Sequence, residues 1–218
     1  MQCCNGKEYL EKILAFAEGE SKCIEEAEKI INAFGGLDGL ANTEASVLKN
    51  LSGCSEKAAD FIRLIAALSS RRITDEFKNG KKYSKNEIER YICALTFHRA
   101  VESVYMLSFD KGGRLISTDL ITEGTVNSSA FLPRKIADIA LRRHASRVII
   151  AHNHPSGNIN PSDNDISVTL FAKTVLSDVG ITLDAHYITV GFTIIDCMSS
   201  INLPLKAGIT VSKVNPLA

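Results

Sequence analysis

None of the six cysteines (Cys3, Cys4, Cys23, Cys54, Cys93, Cys197) forms a C-x-x-C pair. That excludes a zinc knuckle and argues against a disulfide framework, leaving scattered thiols that suit a reducing cytoplasm as small apolar side chains. No apolar run approaches the ~20 residues that span a bilayer. The opening Met1-Gln2-Cys3-Cys4-Asn5-Gly6-Lys7-Glu8 lacks the apolar region of a secretory signal. A cytoplasmic chain with no membrane partner is expected. An excess of charge of either sign is also missing, because 25 Lys and Arg balance 25 Asp and Glu. The total charge therefore selects no partner. Basic charge is short where a phosphate-tracking module would need it: the first seventy residues hold seven Lys/Arg against eleven Asp/Glu, a local charge of −4. There is no internal repeat and no low-complexity segment.

What is present suits an ordinary globular chain. With 218 residues, 45% of them hydrophobic and 23% charged, it can build one sizeable core plus a small second domain. Residues 1–70 read as a helical unit. Ile24, Ala27, Ile31 and Phe34 keep helical spacing ahead of a Gly35-Gly36 stop. Thr43 caps a short helix with Val47, Leu48 and Leu51. The turn Ser52-Gly53-Cys54-Ser55 leads into a helix burying Ala58, Phe61, Ile62, Ile65 and Leu68. Two helices on so tight a turn resemble a helix-hairpin-helix, with Ser55 where that family usually has its second Gly; Ser55 also fits as an N-cap. Residues 71–84 are polar, basic and aperiodic, and read as a linker. From 85 to 218 strands and helices alternate. Ser84-x-x-Glu87 is a capping box for a helix reaching about His98. Strands are expected over 101–109, 114–122, 148–152, 181–190 and 192–196, with helices after Pro133 and from near Ser162. This is a mixed α/β domain, a sheet packed by helices, joined to a small all-helical N-terminal unit.

The richest stretch is Ala151-His152-Asn153-His154-Pro155-Ser156-Gly157, followed by Pro161-Ser162-Asp163-Asn164-Asp165. The apolar run Val148-Ile149-Ile150-Ala151 reads as a buried strand. Residues two apart on a strand share a face, so His152 and His154 can meet at one point. Asp165 follows past a Pro/Gly turn, at the start of a helix. Two imidazoles and one carboxylate make a three-ligand zinc set with a fourth position left for water, the pattern of a catalytic site. Ser162 and Asp165 also fit a capping box, and Asp165 in the first helical turn can serve as cap and ligand at once.

Zinc hydrolysis needs a proton carrier. Glu102 is the best candidate, on the face shared by Val104, Met106 and Ser108, where a carboxylate is costly to bury alone; a solvated strand end is the other reading. Glu123, before Gly124, is a second candidate.

These residues resemble the bacterial RadC-like proteins of the JAB/MPN superfamily of JAMM metalloproteases, over nearly the full chain. The JAMM signature is a Glu on an early strand, then His-x-His, seven further residues of which the first is Pro, and Ser-x-x-Asp; His152-Asn153-His154, followed by Pro155 to Pro161, leads at that spacing to Ser162-Asp163-Asn164-Asp165. The resemblance implies a JAB/MPN, cytidine-deaminase-like mixed sheet and one zinc per chain on His152, His154 and Asp165. It makes Glu102 the general acid/base and Ser162 the donor to a developing oxyanion. One departure stands out. RadC-like chains usually carry Asp-His after the metal helix, whereas here Leu183-Asp184-Ala185-His186 displaces the Asp by one position. His186 is then either a contact behind the ligands or a core-facing imidazole. His98 and His144 read as structural residues in helices. The expected function is a zinc-dependent hydrolase cleaving an amide or isopeptide bond of a peptide or protein. The alternative is a DNA-repair accessory protein whose N-terminal helices contact DNA, with a structural zinc; the acidic N-terminal unit makes that contact weak at most.

Overall fold

The computed structural model describes residues 7–18, 23–34, 56–97, 99–124, 131–201 and 212–213. Among the described residues the first elements are the helices α1 (Lys7–Glu18), α2 (Cys23–Phe34) and α3 (Glu56–Glu76). Leu10, Leu14, Ala27, Ile30, Ala58, Ala59 and Ile62 are among their buried apolar positions. The Gly35-Gly36 stop, the helix expected from Thr43, the Ser52–Ser55 turn and His98 lie outside the described residues.

Residues 71–84 are less irregular than their polarity suggests. Helix α3 runs on through Glu76, and Ile73 on it is buried in the core of the second unit. Phe77 stacks on both Tyr83 and Tyr91, with ring centroids 4.1 Å apart in each pair. Three apolar side chains spaced through a basic stretch were enough to dock it.

The second unit comprises α4 (Lys85–Thr96), β1 (Ser103–Phe109), β2 (Leu115–Glu123), α5 (Phe131–Arg142), β3 (Arg147–Asn153), α6 (Asp163–Asp178), β4 (Thr182–Val190), β5 (Thr193–Asp196), α7 (Cys197–Ile201) and β6 (Ser212–Lys213). The sheet order is β2-β1-β3-β4-β5-β6, with β3 and β4 parallel and the other pairs antiparallel. It is a mixed sheet flanked by helices, as expected. The parallel pair needs a crossover, and α6 supplies it. Alternation sorts the core into two layers. Leu107, Phe109, Ile149, Ala151 and Tyr187 pack with α4. Val104, Met106, Val148, Ile150 and Leu183 pack under α5 and α6. His152 continues the Val148-Ile150 row, so it faces α6.

Both capping boxes form, Ser84 with Glu87 and Ser162 with Asp165. Helix α5 starts at Phe131, two residues ahead of Pro133; a proline in the first turn forfeits only an N–H that has no intrahelical partner. His144 is not helical. It sits at φ 53° just past α5, where its N–H reaches Leu141 O and the Ala145 N–H reaches Ala140 O, a left-handed C-terminal cap.

Candidate metal centre

The site lies where β3 ends and α6 begins. On α6, Asp165, Thr169, Ala172 and Leu176 form one buried stripe at helical spacing. The stripe that packs the helix on the sheet thus carries Asp165 to the end of β3. There His152 Nε2 lies 2.9 Å from His154 Nε2 and 3.2 Å from Asp165 Oδ1, and His154 Nε2 lies 3.4 Å from Asp165 Oδ2. His152 and Asp165 are buried and His154 is half-buried. Together they make a three-donor set able to hold a metal ion.

The hydrogen bonds behind the rings decide which nitrogens carry protons. His154 Nδ1 is 2.6 Å from Asn158 O, a pure acceptor, so Nδ1 holds the proton and Nε2 is bare. Thr169 donates its hydroxyl proton to Asp165 O and therefore accepts from His186 Nδ1. His186 Nε2 is then an acceptor, and it takes the Nδ1 proton of His152 at 2.9 Å. His152 Nε2 is bare as well. Two nitrogen lone pairs and a carboxylate converge with no proton of their own between them, an arrangement that a cation stabilises. The donor chemistry fits a divalent metal of the zinc class.

A proton competes with a cation for this position, and when it sits there the ring N–H groups donate to Asp165. Burial pushes the Asp165 carboxyl up, but hydrogen bonds from His152, His154 and Ser162 outweigh it and hold the group far below the carboxylate range. Burial pushes His154 down, yet its bonds to Asp165 and Asn158 and the charges of Asp165 and Glu102 leave it above the ordinary histidine value. Burial, helped by the neighbouring His152, pushes His186 down to about 3, so it stays neutral.

Ser162 gives Asp165 Oδ2 two donors, its N–H at 2.7 Å and its hydroxyl at 2.6 Å. Glu102 directly precedes β1 and is half-buried. The antiparallel register pairs Val104 with His152, which sets Glu102 across from His154. Glu102, His154 and Ser162 line one open cleft of about 390 Å³, with Ser156, Asn158 and Asn160 as further polar wall. A larger hollow of about 580 Å³ beside Phe16, Phe61 and Leu64 carries no histidine or hydroxyl and lies apart from this chemistry. Glu123, the second carboxylate candidate, instead pairs with Arg99 at 2.9 Å.

The displaced Asp184 has a structural explanation. Val148 pairs with Leu183 but Ile149 pairs with Ala185, so Asp184 is an extra residue bulged out of β4. The bulge turns His186 back to the His152 face, and Asp184 reaches outward to Arg147 at 2.7 Å. Thr169 is the residue that sequence reasoning passed over. Its signal was present, one turn after Asp165 on the same face.

Residues 83–199 match the RadC-like JAB domain family. The chain is 32% identical to the UPF0758 protein of Shewanella woodyi over 166 residues, 76% of this chain and 74% of that protein. It is 30% identical to the UPF0758 protein of Clostridium perfringens over 187 residues, 86% and 82% of the two chains, and 32% identical to that of Bordetella avium over 186 residues, 84% and 82%. The class defined by fold and site is that of the JAB domains. Within it, the chain belongs to the RadC-like family.

Proposed function

We propose that this protein is a zinc-dependent hydrolase of the metallopeptidase type, cleaving an amide or isopeptide bond of a peptide or protein. The observation that carries the reading is the convergence of two bare imidazole nitrogens and the Asp165 carboxylate beside Glu102 in an open cleft. A zinc ion held by His152, His154 and Asp165 would supply Lewis acidity, lowering the pKa of a water toward about 7 and polarising a carbonyl.

The chain's own groups supply the rest. Glu102, across from His154, takes the proton of the attacking water and returns it to the leaving amine. The Ser162 hydroxyl serves as the oxyanion donor, a contribution on the order of 3 kcal/mol. Turning it toward substrate leaves Asp165 Oδ2 still held by the Ser162 N–H. Asn158 and the Thr169–His186 pair keep both imidazoles in the tautomer that leaves Nε2 free. The buried cysteines Cys93 and Cys197 suit work in a reducing cytoplasm. No helix among the described residues is long and apolar enough to cross a membrane.

The test pairs elemental analysis with a peptide-library cleavage screen on the full chain. About one zinc per chain is expected, lost in His152→Ala because two remaining ligands hold zinc poorly. Absence of metal after zinc reconstitution would sink the mechanism.

A further inference from the structure

Asn153 lies between the two histidines in sequence, and strand alternation turns its side chain away from theirs. It is 2% exposed and makes three hydrogen bonds, all to backbone. Its Nδ2 donates to Arg99 O at 3.2 Å and to Val101 O at 3.1 Å, and its Oδ1 accepts from the Ser103 N–H at 2.9 Å. Arg99 and Val101 belong to the connection between α4 and β1 and Ser103 opens β1, so Val101 and Ser103 flank Glu102 on either side. Residues 99–102 lie in no helix or strand, so their polar backbone groups need other partners. A primary amide, carrying donor and acceptor together, stands in for the neighbouring peptide. Further bonds secure the same segment: Glu102 O accepts from the Gly124 N–H at 2.8 Å, and Ser103 Oγ bonds Val101 O at 3.2 Å.

A proton carrier is effective only if held within about 0.5 Å of its working geometry. We propose that Asn153 is the positioning residue for Glu102: its carboxamide ties the backbone before and after Glu102 to the end of β3, the strand that leads both histidines into the site. Carboxylate and metal donors then share one frame. The inference rests on the role given to Glu102 above. It also accounts for an asparagine between two ligands it does not touch. Alanine satisfies none of the three backbone groups, and aspartate keeps the acceptor but loses both donors.

The experiment uses the zinc-loaded full chain as wild type, Asn153→Ala and Asn153→Asp, read by residue-resolved hydrogen exchange. The Gly124 amide reports the place of Glu102, because it donates to the Glu102 carbonyl. In both variants its exchange is expected to rise about tenfold, the equivalent of one buried hydrogen bond. The Ile149–Ala151 amides should stay protected and zinc should stay at one per chain. Unchanged Gly124 exchange in both variants would overturn the proposal, as would a uniform rise across β1, β3 and β4 or loss of the zinc. If alanine prevents folding, the near-isosteric aspartate decides by the same readout. On any peptide that the wild type cleaves, Asn153→Ala should lower kcat with KM held, and should add nothing to Glu102→Gln. A wild type that cleaves no peptide speaks against the hydrolase reading, while the exchange data still decide whether Asn153 holds Glu102.

Discussion

His152 Nδ1 meets His186 Nε2 at 2.9 Å in a buried contact, and Thr169 closes the chain by bridging His186 Nδ1 to the Asp165 carbonyl. The buried imidazole of the donor set, His152, is thus oriented by a second imidazole, itself oriented by the helix that supplies the carboxylate. Neutral His186 is what the chain requires, and its burial enforces neutrality. His186→Ala leaves His152 with a buried N–H unpaired and its tautomer unset. Zinc affinity is expected to fall by roughly 10–100-fold, measured by competition with a chromophoric chelator. Thr169→Val, which keeps the shape and removes the hydroxyl, is expected to give a smaller loss in the same direction. Wild-type affinity in both would show that the relay is packing alone.

Glu102→Gln separates the proton carrier from the metal donors. Glutamine keeps the volume and the cleft wall but cannot accept a proton, so hydrolysis is expected to drop on the order of 100-fold or more. Zinc content and melting temperature should be retained. Loss of zinc from this variant would make Glu102 a ligand and move the site toward a structural role.

Much of this site was legible because its geometry is local. The two-residue spacing of His152 and His154, the cap spacing of Ser162 and Asp165, and the alternation through Val104 and Met106 each follow from a strand or helix period. The contacts behind the ligands were not legible in the same way. Whether His186 faced the site depended on a bulge at Asp184, and a one-residue insertion into a strand leaves no periodic trace that distinguishes it from a shifted register. The Asn153 contacts join residues fifty positions apart, beyond the reach of any local pattern. Helix α3 runs past its expected end with Ile73 in the core, and Phe77 and Tyr83 pack the stretch after it on the same core despite its polar composition.

DNA binding tests the rival class. The segment through residue 70 has a local charge of −4, and Arg71 and Arg72 are already paired with Asp75 and Glu76 on α3. Only weak, salt-sensitive association with duplex or branched DNA is expected from the full chain. Fluorescence anisotropy at physiological salt is the measurement. Sub-micromolar binding would put the accessory-protein reading first.

The pH dependence should differ in sign with and without metal. In the metal-free protein His154 titrates above the ordinary value, so its pairing contributes stability that is fully present below about pH 6.5 and is lost as pH rises through the folded value. Asp165 is depressed, so its contribution is present above about pH 4 and is lost only on acidification. His186, pushed down to about 3, works the other way below about pH 6.5, because the unfolded chain takes up a proton there that the folded one refuses. The metal-free melting temperature is therefore expected to peak near about pH 6.5, falling toward about pH 8 as His154 loses its proton and toward acid as buried His186 resists gaining one. Zinc competes with the proton on His154 for the same nitrogen. Its stabilising increment should consequently grow as pH rises through the interval in which His154 loses its proton and the metal-free protein weakens. Thermal melts at half-unit pH steps, with chelator and with zinc, measure both curves. A metal-free curve that rises toward pH 8, or a zinc increment independent of pH, would contradict the assignment of His154 Nε2 as a donor.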